Sequence, residues 1–324
     1  MKKRLVALFL GLTLMVIALA GCTSGNDGDG ELADDFPNKP IEFALTVSPG
    51  GASDISARLV AQLMSKHLGV DVRVVNMPGG SGAVCLEYVN KQPADGYIVF
   101  NAANSLVSHT IKGTSPITLE NYEAIGLTEI DPRWIATVVG GKFDTIEELI
   151  EYAQDNEVTI GGSMVDNQDH LPIWLMGQQW PNVKYVPFDS TSEVLAAAMG
   201  GHIDAMIASI GPLLPLMEND EVKLLCIFHD ERTDKYPDVP TGKEAGIDIS
   251  TAVYRGFGVK AGTPPERVEI LREALAKAVA EPEYKEYVEK SNLDIVDGVR
   301  IGEEFAETFW ELHGYYEEFL NRDE

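Results

Sequence analysis

Ser48-Pro49-Gly50-Gly51-Ala52-Ser53-Asp54 separates a strand-like run, Ile41 to Val47, from an amphipathic helix that begins near Asp54. Glycines let a backbone pass close to a ligand, and a helix start presents N–H groups that have no partner within the helix. Strand, Gly-rich turn and helix in that order predict a βα unit whose turn can receive a carboxylate.

The same alternation continues outward from this unit. Ile55, Leu59, Val60, Leu63 and Met64 recur at helical spacing, Val72 to Val75 reads as a short strand, and Asn76 to Gly82 stops it before another helix that runs to Asn90. Tyr97 to Phe100 is the next strand, entered through the turn Pro93-Ala94-Asp95-Gly96. Asn104 and Ser105 follow at its carboxyl end, where open α/β sheets bind ligands, and are candidates to line a cleft. Beyond Trp134 to Val139, Thr145 and Glu148 form a capping box, and further short strands alternate with helices as far as Gly256 to Val259. The fold class expected is α/β, in two lobes: residues 36–137 with 258–324 as a discontinuous first lobe, and 138–257 as the second. Crossings near Val138 and Phe257 would act as a hinge with the ligand cleft between the lobes. The last helix carries Phe305, Phe309, Leu312, Tyr316 and Leu320 on one face, read as packing on the first lobe. Trp134, Trp174, Trp180 and Trp310 are read as core.

The chain opens with Lys2, Lys3 and Arg4 followed by an apolar run, Leu5 to Ala20, the form of an export signal over residues 1–21. Leu19-Ala20-Gly21-Cys22 resembles a bacterial lipobox, in which Cys22 is acylated and becomes the mature N-terminus. Residues 22–35, rich in Gly, Asp, Asn and Ser, read as a flexible tether, so the product expected is an extracytoplasmic lipoprotein. Without the leader's three basic residues, 22 basic stand against 51 acidic residues, a charge of −29. Such a surface repels nucleic acid and anionic headgroups, and an anionic ligand must be held by local donors against a field screened beyond roughly 8 Å. The remaining cysteines, Cys85 and Cys226, have apolar neighbours and read as buried thiols. The six histidines form no His-x-x-x-His pair and there is no Cys-x-x-Cys, so neither a metal nor a cofactor is implied. Ser163 after two glycines lacks the Gly-x-Ser-x-Gly elbow of a hydrolase, and the Gly-rich turns lack a P-loop ending; the chain reads as no enzyme.

An ordered set of segments covers nearly the whole mature chain: Phe36-Pro37-Asn38-Lys39-Pro40-Ile41, Pro49 to Asp54 with Arg58, Asn76 to Gly82, Asp95-Gly96-Tyr97, Val186-Pro187-Phe188, Gly200 to Asp204, Arg232, Pro237 to Thr241 with Glu244-Ala245-Gly246, and Gly262-Thr263-Pro264. This series resembles the receptors of tripartite tricarboxylate transporters, the Bug proteins. The resemblance implies a two-lobed fold of the periplasmic-binding-protein type (type II), capture of a small carboxylate, and delivery to integral-membrane permease subunits. It also implies that one ligand carboxylate is held by two loops through main-chain N–H groups and bridging waters. Those loops map onto Ser48 to Asp54 and onto Gly161 to His170, which brings in Ser163, Met164, Asn167 and His170. His170 could donate to a ligand oxygen or pack at its helix start. Asp204 looks structural, beneath the cleft.

Two departures bear on the ligand. Asp166 and Asp169 add acids to a loop that is usually Gly/Ser-rich, and Asp189-Ser190 follows Phe188 where a basic or neutral residue and Gly are usual. Carboxylates repel one another unless a cation intervenes. A monocarboxylate, a dicarboxylate, or an amino acid whose ammonium meets Asp54, Asp166 or Asp189 is therefore expected ahead of a tricarboxylate, unless these acids face solvent. A sensory receptor for a membrane kinase is the alternative role that the same cleft would serve.

Overall fold

Two β-sheets, each built mainly of short, apolar strands, organise the chain. The computed structural model describes residues 35–322, so the leader, Cys22 and most of the tether lie outside the described residues. From Pro37 onward the chain forms one compact unit.

The first sheet begins with β1 (Ile41–Leu45), whose side chains are almost all buried, followed by α1 (Ala52–Leu68) and β2 (Val72–Asn76). A single 3-10 turn, Gly80–Gly82, leads into α2 (Ala83–Lys91), then β3 (Ile98–Ala102) and α3 (Asn104–Lys112). β1 pairs in parallel with both β2 and β3, the arrangement expected of βαβ units. β4 (Tyr122–Pro132) also belongs to this sheet, and after Arg133 the chain enters β5 (Trp134–Val138), which belongs to the other.

The second sheet adds α4 (Ile146–Ala153), β6 (Val158–Ser163), α5 (His170–Gln179), β7 (Val183–Phe188), α6 (Thr191–Met199), β8 (Ala205–Ala208), α7 (Ile210–Glu218) and β9 (Val222–Ile227). Its strand order is β7-β6-β8-β5-β9. The capping box starts α4 as expected: the Glu148 N–H donates to Thr145 Oγ1 at 3.2 Å and the Asp144 N–H to Glu148 Oε2 at 2.6 Å.

The chain returns through β10 (Ala252–Lys260), antiparallel to β3 and β4, and closes with α8 (Pro265–Ala280), α9 (Pro282–Lys290), β11 (Arg300–Ile301) and α10 (Glu303–Leu320). The first sheet is thus ordered β11-β4-β10-β3-β1-β2. The crossings fall at Arg133 and between Ile227 and Ala252, upstream of the Val138 and Phe257 positions expected. Trp134–Val138 pairs with β8 and β9, so it belongs with the second lobe. Read from sequence, Trp134 to Val138 falls before the crossing, and no local pattern reports which sheet a strand joins.

The apolar stripe of α10 buries Phe305, Phe309, Leu312, Tyr316 and Phe319, with Leu320 only half-buried. Each buried ring of this kind contributes about 2–3 kcal/mol of transfer free energy. The helix packs against α3 and β4 and also reaches α5 of the second lobe. Trp134 is fully buried, whereas Trp310 is 43% exposed and is not core. Cys85 and Cys226 are free and buried, and burial pushes both thiols up to about 12.

Candidate functional site

A cavity of about 650 Å³ lies between the lobes. That size suits a small organic ligand. The first lobe supplies Gly80, Ser81 and Ala83, then Asn104, Ser105, His109 and Lys112 of α3, and Tyr316 of α10. The second lobe supplies the loop from Met164 to Gln168, between β6 and α5.

Tight turns bring these groups together. Gly82 has φ +103, and a Cβ there would come within 3.3 Å of Thr46 and Ser105, so only glycine lets the turn lie this close to the end of β1. Asn104 and Ser105 open α3, where first-turn N–H groups lack intrahelical partners. The Asn104 amide donates to Ala252 O and accepts from the Tyr254 N–H, pinning that helix start to β10.

The loop of the second lobe is held from within. Asp169 is fully buried and accepts from the Ser163 N–H (3.0 Å) and hydroxyl (2.6 Å). Asn167 Oδ1 accepts from the Asp169 and His170 N–H groups and so caps α5, while its amide donates to Ser163 O. The Met164 N–H goes to Phe188 O and the Asp166 N–H to His170 Nδ1. Among the described residues, the N–H groups of Val165, Asn167 and Gln168 have no partner. Met164 and Asp166 sit at φ +62 and +57, a left-handed backbone that costs a non-glycine residue about 1–2 kcal/mol each.

Charge crosses the cleft at one point of this loop. The Asp166 carboxylate lies 3.2 Å from Lys112 Nζ and 2.9 Å from an Arg322 guanidinium nitrogen. Burial pushes the Asp166 carboxyl up, but hydrogen bonds from Arg322 and Lys112 outweigh it and hold the group below the usual range. Beneath the loop, His170 stacks on Tyr185 with ring centres 4.3 Å apart, Phe319 meets it edge-on, and Trp174 contacts Phe319 in turn. Burial, then the nearby Arg322, lowers His170 to about 4 despite Asp166, so it is neutral at pH 7.

Of the residues expected to bind ligand, Asn104, Ser105, Met164 and Asn167 line this cavity. Ser48, Pro49, Gly50, Gly51, Ala52, Ser53 and Asp54 do not. Ala52 lines a second interlobe cavity of about 360 Å³, with Ile55, Asp131, Ser209, Ile210 and Arg255. The Gly50 N–H is bonded to Asp54 Oδ2, and Asp54, 2% exposed, also accepts from Arg58 and Asn76. Its hydrogen bond from Arg58 leads the effects that lower it to about 2, against the cost of burial. Asp54 is therefore buried among donors of the protein itself and out of a ligand ammonium's reach.

Ser163 likewise gives its N–H and hydroxyl to Asp169, and Asp169 itself faces the interior. His170 and Phe188 lie outside the lining; Phe188 fills the space beside Gly161. Asp189 is exposed and its N–H is bonded to Glu193. Asp204 accepts from the Thr159 N–H and hydroxyl and lies 2.6 Å from Lys142, a structural role.

Sequence reading missed a buried charged chain at the crossing. Glu129 and Asp131 of β4 pair with Arg255 of β10; Ser209 donates to Asp131 and accepts from Arg133; Arg133 pairs with Asp169. Arg255 Nε also donates to Ser53 Oγ at 3.3 Å. A continuous polar path therefore joins Ser53 to Ser163 through the hinge. Burial raises Glu129, against the pull of Arg255 and of Ser56. The signal available in sequence was the alternation of Glu129, Asp131 and Arg133 at the end of β4 and just past it.

Two α/β sheets, two chain crossings and a lined cavity between them define a two-lobed solute-binding receptor. The chain belongs to the tripartite tricarboxylate transporter receptor family, whose model matches residues 56–300. It is similar to the UPF0065 protein in the gbd 5′ region of Cupriavidus necator, 29% identical over 275 residues that span 81% of each chain. A TctC solute-binding protein from Polaromonas shares the fold at TM-score 0.80 and 30% identity, covering 88% of this chain and 99% of that one. MatC of Rhodopseudomonas palustris, solved with bound malate, superposes at TM-score 0.67 and 20% identity, over 88% of this chain and 100% of its own.

Proposed function

We propose that this receptor captures a small carboxylate in the 650 Å³ cavity and delivers it to the membrane subunits of a tripartite permease. The observation that carries the reading is that Val165, Asn167 and Gln168, whose main-chain N–H groups have no partner among the described residues, line the same cavity as Asn104 and Ser105 of the first turn of α3. Uncharged donors bind a carboxylate reversibly, and bridging waters extend their reach at small cost. Asp54 is buried and paired with Arg58, outside the cavity lining, which removes one of the acids that could meet a ligand ammonium and favours a carboxylic acid. MatC, a protein of the same fold, holds malate, an acid of suitable size.

Thermal unfolding of the mature protein tests this. A ligand at 100 times its Kd stabilises the native state by about 2.7 kcal/mol, so mono- or dicarboxylates that bind raise Tm. No shift across a panel of mono-, di- and tricarboxylates and amino acids overturns the reading. The proposed anchor at Cys22 is tested separately: Cys22→Ser should move the protein from the membrane to the soluble fraction, and continued membrane partitioning refutes it.

A further inference from the structure

We propose that Lys112 and Arg322 receive the second carboxylate of a dicarboxylate ligand, and that Asp166 is its intramolecular competitor. This rests on the carboxylate-binding reading above and adds the ligand's charge and length.

Among the described residues, Lys112 is the only Lys or Arg in the lining of the 650 Å³ cavity and Asp166 the only Asp or Glu; Arg322 lies just outside that lining. The two come from opposite lobes, Lys112 from the end of α3 and Asp166 from the β6–α5 loop. Arg322, just past α10, bonds the other carboxylate oxygen and rests 4.1 Å above the Phe319 ring. One carboxylate thus bridges two cations, as the end of a ligand chain would. In a chain of net charge −26, two cations converging beside a cavity form a local exception that favours an anion.

The competitor is displaceable. The Lys112 and Asp166 side chains are 41% and 33% exposed and Arg322 22%, so the Lys112 pair is open to water and weak, and the Arg322 pair is the firmer of the two. A ligand carboxylate that takes its place keeps the cross-lobe bridge to Lys112 while its first carboxylate meets the main-chain donors of the loop.

Calorimetric titration of the mature protein with succinate and adipate, against butyrate and hexanoate as length-matched monoacids, tests this. Asp166→Asn keeps the side-chain size, and Asn tolerates the left-handed backbone. It should tighten diacid binding about tenfold and tighten monoacid binding less, since a monoacid cannot meet the freed cations and the loop donors at once. Lys112→Gln should reduce the diacid to the affinity of its matched monoacid. Equal affinity of wild type for diacids and monoacids, weaker diacid binding by Asp166→Asn, or an unchanged diacid preference in Lys112→Gln overturns the proposal alone. Absence of binding by all four acids to wild type and both variants overturns the carboxylate reading with it.

Discussion

Arg133 and Asp169 form an ion pair at the crossing between lobes, with side chains only 5% and 0% exposed. Arg133 is the single residue between β4 and β5, and Asp169 is the acid that gathers the Ser163 N–H and hydroxyl. The hinge and the cavity loop are therefore one hydrogen-bonded assembly. Asp169→Ala leaves a buried guanidinium without its acid, and loss of one partner of a buried pair costs about 3–5 kcal/mol. Urea denaturation should show that loss. A change below about 0.5 kcal/mol, the range of ordinary surface substitutions, would mean the pair does not hold the hinge.

His170 gives the protein a mild acid sensitivity. Its folded value, about 4, lies below the unfolded value of 6.5, so between these the unfolded chain binds more protons. The stabilisation is complete above pH 6.5 and is lost as pH falls toward 4. Asp54 and Asp166 are both lowered from 3.8 and act only at lower pH. Tm measured from pH 7 to 4.5 should decline in wild type and decline less in His170→Phe, which keeps a ring on Tyr185. Parallel profiles for the two would assign the decline elsewhere.

Gly162 holds the loop's shape by having no side chain. A Cβ there would lie 2.7 Å from the Tyr185 ring and 2.8 Å from Ile207, and the Tyr185 hydroxyl donates to Met164 O at 2.6 Å. Gly162→Ala should cost about 1–3 kcal/mol through overpacking and weaken ligand binding by moving the loop. Unchanged melting and affinity would mean that Tyr185 yields freely.

Burial that raises Cys85 and Cys226 to about 12 leaves almost no thiolate at neutral pH. Ellman's reagent should label neither in the native protein and both in guanidinium. Rapid native labelling would place one of them at an opening in the core.

The βα alternation was legible because short apolar strands and helical stripes carry their own periods, and the Thr145 cap was readable for the same local reason. The binding cleft was legible only in part. Asn104 and Ser105 announce themselves by position at a strand end, and the loop after β6 by the family resemblance. Lys112 reads in sequence as an ordinary basic residue in a last helical turn, and becomes part of the cavity only because α10 and the second lobe come to it. Asp54 and Ser163 are polar groups at turns, where sequence cannot tell a ligand donor from one already bonded inside the protein. That difference is decided by Arg58, Asn76 and Asp169, partners fixed by tertiary packing.

The ring series from His170 through Phe319 to Trp174 has a practical use. Trp174 is half-buried at its outer end, while Trp134, sealed in the core, supplies a steady background. Arg322 lies on the Phe319 ring and Trp174 contacts the same ring, so two residues, Phe319 and Arg322, link the indole to the Asp166 carboxylate. If Asp166 leaves Arg322 on binding, Trp174 emission should change, and the change should vanish in Trp174→Phe while the signals of Trp180 and Trp310 remain.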